Sequence, residues 1–184
     1  PYTEPESRTV VSFDFTGSVQ ARGVSDALCI RISEENLYTL KNLVRATGLQ
    51  HRHANEIRKA LLDASFPRTY KGRENRVIGI HDFRECLSKL ISSSTKGLSN
   101  LDLDIHYSCF IDFFSCFDHD RPDLSHGECD AQELAVGFGF LCSGNKSSKL
   151  AMGFDILKDS ASDGLTTEQL EQYLRSYLTM LIGI

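Results

Sequence analysis

The sequence contains no tryptophan, and no apolar stretch approaches the roughly 18 to 20 residues needed to cross a bilayer, so no membrane span is expected. It lacks an excess of positive charge: 20 Lys and Arg stand against 25 Asp and Glu, a formal net charge of -5. Counterion-driven binding to nucleic acid needs clustered cations, and that partner class is set aside. The one basic cluster, Arg68, Lys71, Arg73 and Arg76, is interrupted by Glu74 and reads as a solvated loop. A secretory signal pattern is also missing, so the six cysteines at 29, 86, 109, 116, 129 and 142 are expected to be reduced thiols in a cytoplasmic setting. The triplet Asn145-Lys146-Ser147 matches a glycosylation acceptor, but nothing else points outside the cell.

Enzyme constellations are missing as well. Gly137-Phe138-Gly139 lacks the further glycine or Lys-Ser/Thr pair of a phosphate loop, and Cys86 has no activating base nearby in sequence. No pair of carboxylates is placed across a substrate by spacing. The chain is read as a non-enzyme; since it opens on Pro1 and closes on the apolar TMLIGI, it reads as a piece of a longer protein, with any catalytic domain outside it.

With 184 residues, 41% hydrophobic and 24% charged, the chain is long enough for a substantial core. Helical periodicity dominates from Ser33 onward. Seven apolar stripes are legible: Leu37/Leu40/Val44, Ile57/Leu61, Phe83/Leu87/Leu90, Ile105/Cys109/Phe113/Phe117, Leu134/Phe138/Leu141, Leu150/Phe154/Leu157 and Leu170/Leu174/Leu178/Leu181. Ser33 before Glu34 and Glu35, and Thr166 or Thr167 before Glu168, suit helix starts, and His51-Arg52-His53 is read as another polar helix start. Residues 1–32 differ: Val11, Phe13 and Phe15 alternate with polar residues, which predicts a short extended segment, while Gly17 and Gly23 discourage a helix. The Ser- and Gly-rich stretch 92–100 predicts a separation of lobes, giving an N-terminal segment (1–32), a first lobe (33–96) and a second lobe (97–184).

A unit recurs in which a turn, an apolar residue and, five residues later, a second apolar residue lead into a helix. It appears as Ile32…Leu37, Ile78…Phe83, Cys129…Leu134 and Leu165…Leu170. In this the chain resembles the EF-hand superfamily, arranged as in the calcineurin-B and neuronal calcium sensor group. The resemblance implies an all-α fold of helix-loop-helix units paired into two lobes, with Cys129 laddered to Leu165 and Ile32 to Ile78. It also implies at most one Ca2+ site, in the third hand. Ca2+ takes six to eight oxygens from fixed loop positions. The third loop offers Asp118, Asp120, the sharp-turn glycine Gly127, the carbonyl of Glu128, Asp130 and the bidentate acid Glu133, with Asp123 or Ser125 for the remaining oxygen. Asp118 to Glu133 spans sixteen residues, four more than the family loop. The fourth loop has Lys158 and Gln169 where acids are required, the second has Arg68, Lys71 and Arg73, and the first has almost no ligands; these three are expected to be empty.

Cys116, His119, His126 and Cys129 have internal spacings suited to zinc. Cys116 and Cys129 also fall at apolar positions of the repeat, which favours core thiols. The function expected from the resemblance is a calcium-responsive regulatory module. Phe113, Phe117, Leu134 and Phe138 would line a groove for a partner helix or another segment of the parent chain. A Ca2+-independent scaffold and a regulatory fragment of a larger enzyme are the alternatives.

Overall fold

The computed structural model describes residues 9–15, 28–70, 73–91, 100–118, 124–158 and 163–182. Two strands, β1 (Thr9–Phe15) and β2 (Leu28–Ser33), open the described chain as an antiparallel pair, Phe13 opposite Ile30. The alternating Val11, Phe13 and Phe15 therefore lie in a strand, as the sequence predicts; Gly17 and Gly23 lie outside the described residues. Helix α1 (Glu34–Ala46) follows directly, with Glu34 and Glu35 in its first turn where the helix dipole favours acids. A short 3₁₀ turn, Leu49–His51, leads to α2 (Ala54–Ala64), which begins at the expected polar start: His53 Nδ1 accepts from the Asn55 N–H at 3.3 Å.

A β-hairpin comes next, β3 (Phe66–Tyr70) against β4 (Arg73–Gly79), then α3 (Ile80–Ile91). Helix α4 (Asn100–Ser115), strand β5 (Glu128–Asp130) and α5 (Ala131–Leu141) form the following unit, and α6 (Lys146–Leu157) and α7 (Thr167–Ile182) close the chain. The fold is predominantly helical, as expected, but carries two small sheets, β1-β2 and β3-β4-β5, beyond the all-α expectation. The solvated-loop reading of Arg68, Arg73 and Arg76 is corrected by the hairpin, whose strands carry all three; Lys71 lies outside the described residues. The strands lack an apolar alternation because Arg68 and Arg76 make directed polar contacts: Arg76 donates to the Ser65 hydroxyl at 2.9 Å and to the Leu62 and Ser65 carbonyls at 2.6 Å.

Strand pairing differs from the expected ladders. Ile78 lies opposite Cys129 in an antiparallel β4-β5 pair, while Ile32 lies opposite Val11 and Leu165 belongs to no strand. Sequence separation does not choose a strand's partner; apolar complementarity of the flanking helices does. Helix α2 packs on α5, and α3 on α4, so the first helix of each unit meets the second helix of the other. One core results, drawn from both sides of the boundary expected after residue 96. Phenylalanines fill it: Phe83 lies 4.9 Å from Phe114, and Phe113 meets Phe138 edge-on at 5.0 Å between ring centroids.

Helix α5 runs through this core with buried Ala131, Leu134, Ala135, Val136 and Phe138 on several sides. Gly137 and Gly139 serve packing rather than phosphate binding, since a Cβ on Gly137 would collide with the Phe117 ring and one on Gly139 with the Met152 methyl. Asn145, at the glycosylation-like triplet, caps α6 by accepting from the Ser148 N–H at 2.8 Å. Thr166 and Gln169 form a reciprocal capping box at the start of α7, at 2.8 and 3.2 Å. No helix among the described residues is long and apolar enough to cross a membrane.

Candidate functional site

The loop that leads into β5 and α5 concentrates the carboxylates singled out by sequence. Asp120, Asp123 and His119 lie outside the described residues; Asp118, Glu128, Asp130 and Glu133 are described. Gly127 supplies the expected sharp turn, with φ 79° in the left-handed region that a side chain disfavours. Its N–H donates to Asp118 Oδ2 at 3.0 Å, and its carbonyl accepts from the Ile80 N–H at 3.0 Å, which ties the loop to the start of α3.

Each described carboxylate is already partnered by protein. Glu128 takes a two-point contact from the Arg68 guanidinium at 2.5 and 2.9 Å and a further bond from the Ser125 N–H at 2.9 Å. Burial alone would raise its pKa, but the Arg68 and Ser125 hydrogen bonds outweigh it and hold the carboxyl below the usual range. Asp130 caps α5: Oδ1 accepts from the N–H groups of Gln132 and Glu133 at 2.9 and 3.2 Å, and Oδ2 accepts from Gln172 Nε2 at 3.2 Å. Glu133, whose side chain is only 1% exposed, receives Arg175 Nη2 at 2.5 Å and Nε at 3.2 Å. Two α7 side chains one turn apart, Gln172 and Arg175, thus hold the two acids that α5 presents. Gln132 adds a link to α6 by donating to the Ile156 carbonyl at 3.0 Å.

Sequence reading located the acids but missed their partners. Arg175 sits between Leu174 and Leu178 in a leucine stripe, where no local pattern marks it as a counter-ion, and Arg68 lay in what read as a solvated loop. In the fourth loop, Gln169 is engaged in the capping box of α7. Among the described residues, no group of three or more His, Cys, Asp and Glu is arranged to hold a metal ion.

The thiols considered for zinc are packed rather than poised. Cys129 is fully buried, and burial, reinforced by the nearby Asp130, Glu133 and Asp118 carboxylates, pushes its pKa well above the usual thiol value. Burial and the Asp112 carboxylate raise Cys116, whose Sγ donates to the Asp112 carbonyl at 3.4 Å. The His126 side chain is fully exposed, with Nδ1 3.6 Å from Asp118 Oδ2.

Phe113, Phe117, Leu134 and Phe138, expected to line a partner groove, are all buried in the closed core. Apolar surface appears elsewhere, on α7 at Leu170, Leu174 and Tyr177 and on α6 at Leu150. Comparison of the chain with family models, curated proteins and solved structures finds no match.

Proposed function

We propose that this chain is an EF-hand-like interaction module held in one conformation without Ca2+, the Arg175 guanidinium doing at Glu133 what a cation would do in an ion-binding loop. The ion pair between Arg175 and Glu133 carries the reading. A buried carboxylate must be neutralised or paired. Here a side chain of the same chain does so, with two hydrogen bonds, while Asp130 is committed to the α5 cap and to Gln172. An incoming ion would have to displace a guanidinium to gain the Glu133 oxygens and strip a helix cap to gain those of Asp130. The module's role is then to present a fixed surface to a protein partner, with any catalytic domain elsewhere in a larger assembly. Five described free cysteines, three of them buried, support a reducing, cytoplasmic setting.

Calorimetric titration of the chain with Ca2+ tests the proposal. No saturable heat is expected up to about a millimolar, the range of weak extracellular sites. A saturable isotherm with one ion per chain, abolished by Glu133→Gln, would reverse the conclusion in favour of the calcium-responsive reading, in which Asp118, Asp130 and Glu133 turn to the ion and Arg175 leaves.

A further inference from the structure

Protein interiors are packed as densely as organic crystals and leave few voids larger than a water molecule. Between α1, α4 and α5 this chain nevertheless leaves a cavity of about 180 Å3. Leu40 and Leu43 of α1 form one wall, and Phe110 and Phe113 of α4 with Leu141 of α5 form the other. The second wall belongs to the core: Phe110 is 0% exposed, Phe113 3% and Leu141 6%. The first wall does not close onto it. Leu40 and Leu43 reach the core but are only partly buried, and no described apolar side chain of α1 is fully buried. Helix α1 thus lies over the phenylalanines with a gap beneath it.

The lining says what fits the gap. Its walls offer water few hydrogen-bond partners, and an apolar cavity of about 150 Å3 stays dry and takes up benzene. The volume here has room for such a ring and a short chain, and lies below the roughly 300 Å3 at which pockets for larger ligands begin. Two polar side chains, Thr39 and Asp112, are exposed at the mouth, and no lining residue is cationic. The Asp112 carboxylate has no ion-pair or hydrogen-bond partner among the described residues; only the main-chain carbonyl of Asp112 is engaged, accepting from Cys116. A carboxylate at the mouth of an apolar cavity is complementary to a molecule with an apolar body and a cationic head, since a few placed polar groups orient a ligand whose body is held by the walls.

We infer that the cavity between α1, α4 and α5 binds a small amphiphilic amine, with its apolar body between Leu43 and Phe113 and its ammonium at Asp112. The Thr39 hydroxyl can accept a second hydrogen bond from the same ammonium. The site uses none of the loop carboxylates and stands whether or not Ca2+ enters the loop. Binding fills space that no side chain occupies, which restores the dispersion contacts that Phe110 and Phe113 lack on that side.

Phenethylamine is a suitable probe, and phenethyl alcohol has the same shape without the charge. Added to the 15N-labelled chain at pH 7 and low salt, the amine should produce saturable shifts of the Leu43, Phe113 and Leu141 amides, in the submillimolar range expected for about nine non-hydrogen atoms. The alcohol should bind about two- to fivefold more weakly, the worth of one exposed charge pair. Asp112→Asn, at an exposed position of α4, should erase that difference without changing the affinity for the alcohol. Because Cys109 lines the cavity and Cys116 does not, the amine should slow alkylation of Cys109 by N-ethylmaleimide and leave Cys116 unaffected. No saturable shift up to about 10 mM, well above the expected range, overturns the inference. So does equal affinity for amine and alcohol in the unsubstituted chain, or a Cys109 that reacts as fast with saturating amine as without it.

Discussion

Replacing Arg175 with methionine isolates the interaction on which the account turns. Methionine keeps much of the aliphatic packing of the arginine stem and removes the guanidinium, so the loss is chiefly that of the partner of Glu133. The Glu133 side chain is 1% exposed and receives contacts of 2.5 and 3.2 Å from Arg175. Breaking a buried pair from one side costs about 3–5 kcal/mol, because the stranded charge stays desolvated. Arg175 is itself 37% exposed, and water can follow into the space it leaves, which puts the expected cost at the lower end, about 3 kcal/mol. With a urea dependence of about 2 kcal/mol per molar, the midpoint should fall by about 1.5 M. Circular dichroism at 222 nm at pH 7 reads it directly. Glu133→Leu should cost less, about 1 kcal/mol, since the partly exposed guanidinium can turn to water. The double variant should cost about 1 kcal/mol rather than the sum of about 4, giving a coupling of about 3 kcal/mol. A single-variant loss under about 0.5 kcal/mol, or additivity within that margin, would mean that Arg175 and Glu133 are not energetically coupled.

Four other outcomes follow from named contacts. Burial pushes the Cys86 thiol up to about 11, partly opposed by Lys89, and the Cys142 thiol up to about 12; in native protein at pH 8 these two and Cys129 should alkylate far more slowly than Cys109 and Cys116, as mass spectrometry of labelled peptides would show. Because the native thiols hold their protons more tightly than unfolded ones, this contribution to stability is complete below pH 9 and declines as pH rises towards 11–12; urea midpoints that rise with pH over that interval would contradict it. Glu128 has a lowered pKa, so its pairing with Arg68 stabilises fully above about pH 4.5 and is lost as pH falls below; Arg68→Ala should flatten acid sensitivity in that interval, and an unchanged acid profile would count against the pair. Gly137→Ala forces a Cβ into the Phe117 ring and should cost about 1–3 kcal/mol by urea unfolding, whereas a neutral result would mean the ring moves aside freely.

Much of the secondary structure was legible because helical periodicity is local. Each of the seven stripes falls on one of the seven α-helices among the described residues, apart from Phe117 in the turn after α4, and His53, Thr166 and Gly127 act at the turns where their chemistry suggested. Periodicity does not say which side of a helix faces inward. On α7 the leucines look outward at Leu170 and Leu174, while Ser176 and Met180 are buried, because the helix is positioned by Arg175 and Gln172 reaching α5. Pairing was illegible for a related reason: Ile78, Cys129 and Leu165 have the same local pattern, and only the shapes of whole helix pairs decide that the first two meet. The acids of the site could be found from spacing, since loop positions are counted along the chain. Their partners could not, since Arg68 lies 60 residues from Glu128 and Arg175 42 from Glu133.

Whether Arg175 keeps Glu133 when Ca2+ is offered can be read from a 1H–15N correlation spectrum of the labelled chain recorded during addition of the ion. The amides of Gly127, Gln132 and Glu133 donate to, or sit within, the carboxylate network around Asp118 and Asp130, so any ion that entered it would move them. If Arg175 keeps Glu133, these three resonances stay where they are through about 5 mM Ca2+, above the weakest range of dedicated sites. Saturable shifts of all three, accompanied by a shift of the Arg175 side-chain Nε–H resonance, would mean that the ion enters the loop and displaces Arg175 from Glu133.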